Sequence, residues 1–462
     1  MNDIKRRLEW FAFYDHTGIQ THLERMAEKG WMLEQPGSYL WRYRRIPPQK
    51  LRFAVTYFPD ASEFDPGPTE GQQVLQDYCE AAGWHHVARW AQMQIFCTAD
   101  QDPIPLDTDA VIEVDTIHTA MKKASLPNLV LLVLLSVLQL VLLCWNFSNN
   151  PIQFLSSPSR LYMVPSWLLL LFISLCELAF YFRWHKRARE AAESTGEFLP
   201  IRTKRVLSGA ITALALTFAA AALLLQGGRG IALITGLWAI GMAGMYFLTN
   251  SIKITLKKMN ASRRVNRTIT LLVCVALAAA LAVGLVSVTL RGIRSHWLDE
   301  DPPVETYEYK GMTWEIYHDD IPLRIEDLMD TDYTQWSTQL EESSSFLISF
   351  REYTQRPRMD ALYEPDLEYD ILDIKVPALY GVCKTAMLER YWYGNQPEEY
   401  RPVYHLQEDL SDLADEVYRY YRDGTAYDRY LLCWADRIVE IHFDAEPTLE
   451  QITAAVEILK NA

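Results

Sequence analysis

The sequence predicts three structural classes in series. An α+β N-terminal domain has two helices on one face of an antiparallel sheet of about five strands. An all-α transmembrane bundle of five helices follows, and then an α+β C-terminal extracytoplasmic domain. Three observations carry this division. Five apolar runs sit in the middle of the 462-residue chain. Charge is split around them: residues 1–125 hold 13 Lys and Arg against 18 Asp and Glu, residues 126–290 hold 15 against 4, and residues 291–462 hold 16 against 37. A basic middle between acidic ends is a membrane pattern, because lysines and arginines collect at helix ends. Finally, the first hundred residues spell one helix ending twice, Gly30-Trp31 and Gly83-Trp84.

The chain opens "MNDIKRRLEWFAFYDH", charged and with no long apolar core. A cleaved signal peptide is therefore not expected, and the first domain, residues 1–110, is placed in the cytoplasm. Thr17 and Gln20, and again Thr69 and Gln72, have the spacing of a capping box, in which hydroxyl and amide satisfy free N–H groups at a helix start. Ile19, Leu23, Met26 and Ala27 give the first helix an apolar stripe, and Val74, Leu75, Tyr78, Cys79 and Ala82 give one to the second. Gly30 and Gly83 fall where a left-handed backbone ends a helix, with Trp31 and Trp84 packing back on the last turn. Strand-like sequence follows each tryptophan: "WMLEQ", "YLWRYRR" and "LRFAVTYF", then "WHHVARW" and "MQIFCTA". Both tryptophans read as core residues.

These residues resemble the bacterial domain-of-unknown-function family 2812. Trp10-Phe11, Met26-Ala27-Glu28-Lys29-Gly30-Trp31, the strand from Tyr39 to Tyr43, and Gly83-Trp84 carry the likeness, over about residues 5–100. Members are similar in placing this domain before membrane helices and often occur beside PadR-type transcriptional regulators. The family has no established catalytic residue, so the resemblance carries none over. The cluster Arg42, Arg44, Arg45, Lys50 and Arg52 is interleaved with aromatics, as in nucleic-acid binders. The domain is net acidic, however, so a solvated strand face is expected, with no direct nucleic-acid binding. His85 and His86 are adjacent on a strand and point to opposite faces, so they do not chelate one ion.

The apolar runs are residues 128–147, 162–182, 207–225, 231–249 and 268–290, each near the ~20 residues that cross a bilayer. Fifteen lysines and arginines flank them on one side and four on the other. The excess marks the cytoplasmic side. The protein is thus expected in the cell membrane, multi-pass, with the N-terminus cytoplasmic and the C-terminus outside. Glu177 is the one acidic residue inside a run. It reads as a carboxylate reaching the interface, or as a proton or cation site. Ala232/Gly236 and Ala239/Ala243 have small-xxx-small spacing, which favours close helix packing.

In the outer domain, residues 302–462, "MTWEIYH", "SSFLISFREYT" and "LEYDILDIK" read as strands and "VPALYGVCKTAMLERYW" as a helix. "LQEDLSDLADEVYRYYRDG" reads as a second helix, with Leu406, Leu410, Leu413 and Val417 at helical spacing and Gly424 as its stop. A hairpin turns near Ala435-Asp436, and Thr448 with Gln451 caps a last helix. His318, Asp319 and Asp320 cluster as candidate ligands, although one short cluster lacks the ligand count of a calcium or zinc site. Cys383 and Cys433 either bridge or lie as buried thiols; both remain open.

No CxxC pair, glycine-rich phosphate loop, nucleophile elbow or zinc-protease motif is present, so no catalytic residue, metal or cofactor is assigned. The architecture predicts a sensory or regulatory protein. Its outer domain would bind a ligand or protein, and its inner domain a partner in the cytoplasm or membrane, with the bilayer between. An envelope-acting enzyme and a transporter accessory subunit are the alternatives.

Overall fold

A computed structural model describes residues 3–9, 11–37, 40–201, 205–225, 229–294, 303–361, 364–392 and 401–462, with backbone alone for 205–208, 229–231 and 294. The chain divides into two compact units. One holds residues 1–140, 165–218 and 236–286; the other holds 141–164, 219–235 and 287–462.

The first unit begins with β1 (Ile4–Leu8), α1 (His16–Glu28), β2 (Trp31–Gln35) and β3 (Leu40–Arg45). It continues with β4 (Arg52–Tyr57), α2 (Glu70–Ala81), β5 (His85–Trp90), β6 (Met93–Thr98) and α3 (Ala110–Ala124). The strands pair as two antiparallel three-stranded sheets, β1-β3-β2 and β4-β6-β5, rather than the expected single sheet of about five. Each half runs strand, helix, strand, strand, and each puts its last strand in the centre. The ladder slips at matching places, between Leu33 and Gln35 and between His86 and Ala88. The repeated Gly-Trp is therefore one joint of a duplicated βαββ unit.

The helices do not share one face. Met93, Ile95 and Cys97 of β6 join the core that α1 fills with Ile19, Leu23 and Met26, whereas Phe96 turns to Cys79 and Trp84 beneath α2. Alternation along the strand sends neighbours to opposite sides, so β6 is buried throughout. The expected stripe on α2 is largely absent: Val74 and Tyr78 are exposed, and Gln72 and Cys79 are its buried residues. The Thr69–Gln72 capping box forms. At α1 the cap is Asp15 instead of Thr17, its carboxylate accepting the Gly18 N–H at 3.1 Å. Thr17 accepts the Ile201 N–H at 3.3 Å.

The central helices are α4 (Leu126–Asn149), α5 (Pro151–Leu155), α6 (Pro158–Thr195), α7 (Arg205–Leu224), α8 (Arg229–Lys258) and α9 (Arg263–Arg294). Four of them, α4, α6, α8 and α9, are long and apolar enough to cross a membrane; α7 has a shorter apolar stretch, Gly209–Leu224. At about 1.5 Å per residue, the 38 residues of α6 reach about 57 Å, against about 30 Å of hydrocarbon. Close packing of α8 on α9 falls at Gly241, against Leu281, while Gly236 has open space around it.

The second unit adds β7 (Glu305–Tyr309), β8 (Met312–Ile316), α10 (Ile325–Leu328), β9 (Ser337–Ser344), β10 (Ile348–Arg356) and β11 (Leu367–Ile374). It ends with α11 (Tyr380–Leu388), β12 (Val403–Leu406), β13 (Glu416–Arg422), β14 (Thr425–Cys433), β15 (Arg437–Phe443) and α12 (Leu449–Leu459). Seven strands make one antiparallel sheet in the order β12-β13-β14-β15-β11-β10-β9. On one face α12 packs Ile452, Val456 and Leu459 against Tyr369, Ile371 and Val439. On the other, Cys383 and Met387 of α11 and Ile152 and Leu155 of α5 meet Ile348, Phe350 and Ile438. The segment expected as a helix over residues 406–424 is instead β12, a short turn and β13. The run "EVYRYYR" is rich in the aromatic and β-branched residues that strands favour, and Asp423 and Gly424, both with positive φ, form the two-residue hairpin turn that β13 and β14 need. Cys383 and Cys433 are buried free thiols.

Gly30 and Gly83 both have positive φ, but a Cβ on Gly30 would sit 2.8 Å from the Ile46 carbonyl oxygen, and one on Gly83 would meet nothing. Gly83→Ala is expected to cost about 1–2 kcal/mol of N-terminal domain stability, the left-handed penalty alone, and Gly30→Ala about 1 kcal/mol more. Thermal unfolding of the two variants checks the order.

Candidate functional site

The N-terminal core is closed by a helix from the membrane region. Beyond residue 180, α6 buries Tyr181, Trp184 and Ala188 among the aromatic and aliphatic side chains of the βαββ units. Tyr14 meets Tyr181 edge-on at 5.0 Å and stacks on Trp184 at 5.6 Å. The indole of Trp184 donates to the Leu199 carbonyl at 3.2 Å. Glu177 lies beside the Tyr14 hydroxyl. Burial, with Glu177 beside it, pushes the Tyr14 phenol well up.

A second attachment is ionic. The connection between β4 and α2 carries Asp60, Glu63 and Asp65. Lys123 at the end of α3 reaches Asp60 at 2.7 Å, and Lys253 on α8 reaches Glu63 at 3.0 Å. Arg263, opening α9, grips buried Asp65 through two N–H groups at 2.6 and 2.8 Å. The Asn266 amide donates to the Phe64 carbonyl at 3.1 Å.

Between these attachments lies an open cleft of about 1870 Å³. Leu129 and Leu132 of α4 and Leu170, Ile173 and Phe180 of α6 line its apolar part; Phe11, Phe13, Trp41 and Trp90 line it from the domain. Phe11 stacks on Trp41 at 5.4 Å. Arg183, Arg187 and Arg267 line the cleft, are exposed, and have no ion pair among the described residues. Gln92, 7% exposed, also lines it, and its side-chain oxygen meets no donor among the described residues.

On another side of α6, His118 of α3 stacks on His185 at 4.0 Å, with its Nδ1 2.7 Å from the Tyr181 hydroxyl. Burial lowers the His118 pKa, and His185, Lys122 and Arg189 lower it further against Asp115. Such a histidine is packed neutral. Its contribution is full above about pH 6.5, the ordinary histidine value, and is lost as pH falls through the lowered one. Protection factors of the α3 amides, corrected for intrinsic exchange, are therefore expected to fall between pH 7.5 and 5, and His118→Phe to flatten that dependence.

The sequence candidates are scattered. Trp10 lies outside the described residues. Trp84 is buried and donates to the Ile104 carbonyl at 2.8 Å. Trp31 is half-buried, 5.2 Å from the Lys5 ammonium and 4.9 Å from the Arg45 guanidinium, and so packs on charge as well as core. Arg42 pairs with Glu34 and Arg52 with Glu24. His318 bridges to Thr338, the Asp319 carboxylate accepts the Leu340 N–H at 2.8 Å, and Asp320 is exposed. Among the described residues no group of three His, Cys, Asp or Glu could hold a metal ion.

A constellation the sequence reading missed lies on the sheet of the outer domain. Buried Glu440 accepts from Arg390 at 2.8 Å and Tyr391 at 3.1 Å, and from Tyr404. Arg390 also holds Asp370, and Glu352 at 3.0 Å. Four strands and the end of α11 supply these residues, so no local spacing announces them. Burial pushes the Asp370 carboxyl up to about 7 despite Arg390. Arg390→Met leaves Asp370 without a cation and Glu440 with Arg429 alone, at 3.6 Å, and is expected to destabilise the outer domain by about 3–5 kcal/mol. Asp370 binds its proton more tightly folded than unfolded, so stability is expected to rise as pH falls from about 7 toward 4. Urea unfolding of the variant at both ends of that range checks it.

Residues 15–134 match the DUF2812 family, described as a protein of unknown function. The N-terminal domain is thus a DUF2812 domain. The match starts after Trp10 and Phe11 and runs through α3 into α4, past the expected end near residue 100. No curated protein and no solved structure matches the chain.

Proposed function

We propose that this chain, which carries a DUF2812 domain leading into membrane helices, is a multi-pass membrane regulator. Its outer domain binds a ligand or protein, and its inner domain binds a partner, with a PadR-type regulator as the first candidate. The observation that carries this reading is the course of residues 151–195. They begin with α5 in the core of the outer domain and end with α6 in the core of the DUF2812 domain. One short helix and one long helix thus join two folded cores.

The N-terminus is placed in the cytoplasm and the C-terminus outside. Fifteen cations against four support this orientation, and it needs an odd number of spans. Counting α7 makes five; its 20 helical residues reach about 30 Å, the thickness of the hydrocarbon layer.

The test joins topology to partner recovery. A reporter that works only outside the membrane, fused after Ala462, is expected to be active. A partner is expected to co-purify with the intact chain and to be lost in Trp184→Ala, which frees α6 from the domain. A reporter active only in the cytosol removes the coupling across the bilayer. Partner recovery untouched by Trp184→Ala removes α6 from the mechanism.

A further inference from the structure

We infer that the cleft between the DUF2812 domain and the inner ends of α4, α6 and α9 is a binding site for an anionic phospholipid from the adjoining leaflet. The inference rests on the membrane reading above, but not on which leaflet is cytoplasmic. Its first support is the polarity profile of one helix face. Ile173, Cys176, Phe180, Arg183 and Arg187 all line the cleft at helical spacing, with Glu177 among them beside Tyr14, and beyond Phe180 the charged residues of α6 that line it are cations. The fourteen steps from Ile173 to Arg187, at about 1.5 Å each, make about 21 Å, close to one ~15 Å hydrocarbon leaflet plus a headgroup layer. A phospholipid has the same order of chemistry over the same length, acyl chain first and phosphate last.

Charge is the second support. Arg183, Arg187 and Arg267 converge on the polar end of the cleft from two helices and have no carboxylate partner among the described residues. The neighbouring cations differ, since Lys123 and Arg263 are occupied by Asp60 and Asp65. Of the carboxylates that line the cleft, Glu9, Asp60 and Glu63 are paired with other cations, so three guanidiniums without an ion pair, beside an apolar wall, are complementary to a lipid phosphate. The third support is Gln92. Its buried side-chain amide lines the same cleft with an oxygen that meets no donor among the described residues, matching a hydroxyl-bearing headgroup. Aromatic rings opposite, among them Phe13 and Trp90, are suited to the interface depth at which such a headgroup lies.

The experiment uses the full chain, purified in detergent and exchanged into phosphatidylglycerol mixed equally with phosphatidylcholine, with retained lipid counted by native mass spectrometry. Phosphatidylglycerol is expected to be retained over phosphatidylcholine. The variant Arg183→Gln/Arg187→Gln/Arg267→Gln is expected to lose that preference by about tenfold or more, because the cations that draw an anionic headgroup are gone. The matching triple lysine variant, which keeps the charge, is expected to retain it. Equal retention of the two lipids, or a preference unchanged in the glutamine variant, overturns the inference. Full displacement by millimolar inorganic phosphate also overturns it, because the occupant is then a soluble anion. Extraction of the chain from membranes by alkaline carbonate would instead show that the membrane reading had failed.

Discussion

The structure depends on α6 ending inside another domain's core. A membrane helix normally leaves the bilayer into water and stops, but α6 continues and fills a gap that the βαββ units leave open. Tyr181 and Trp184 are packed against Tyr14, and Trp184 also closes a backbone carbonyl. Burying side chains of this size is worth about 1.5–3 kcal/mol each, so parting the helix from the domain costs a large share of a typical domain's stability. The aromatic contact therefore makes helix and domain one mechanical body. The ion pairs from Asp60, Glu63 and Asp65 to α3, α8 and α9 fix the same body at a second place.

The outer domain shows the same device in another form. There α5, in the connection between α4 and α6, enters the core with Ile152 and Leu155, and the Ser345 hydroxyl closes the Leu155 carbonyl at 2.6 Å. Both cores are incomplete without residues from the membrane segment. Between them α6 contains Pro165, which lacks an N–H for the helical ladder and so marks where the helix bends most easily.

Local signals were legible in the sequence. The five runs, the Gly-Trp joints, the Thr69 and Thr448 caps and most strands follow from patterns a few residues long. What escaped depends on distance. Asp15 took the cap from Thr17 because a carboxylate two residues earlier is also a good acceptor, and Thr17 is used by Ile201, far along the chain. The helical spacing of Leu406, Leu410, Leu413 and Val417 competed with the aromatic and β-branched run "EVYRYYR" and with Asp423-Gly424, and the hairpin turn prevailed. Helix α3 was legible, with Asp109 as its cap and Val114, Ile117 and Met121 at helical spacing, but the adjoining apolar run masked it. Neither the cleft nor the Arg390–Glu440 network was legible, because each collects residues from several elements.

The cations near the DUF2812 domain divide into two groups with different work. Lys123, Lys253 and Arg263 are taken up by the acidic connection of the domain, and Arg183, Arg187 and Arg267 are left facing the cleft. Cations at the ends of α3, α8 and α9 thus dock the domain. Asp65, nearly buried, depends on the Arg263 guanidinium, because an unpaired buried carboxylate costs several kcal/mol. The cations that face the cleft have no ion pair among the described residues, so the docking of the domain does not depend on them.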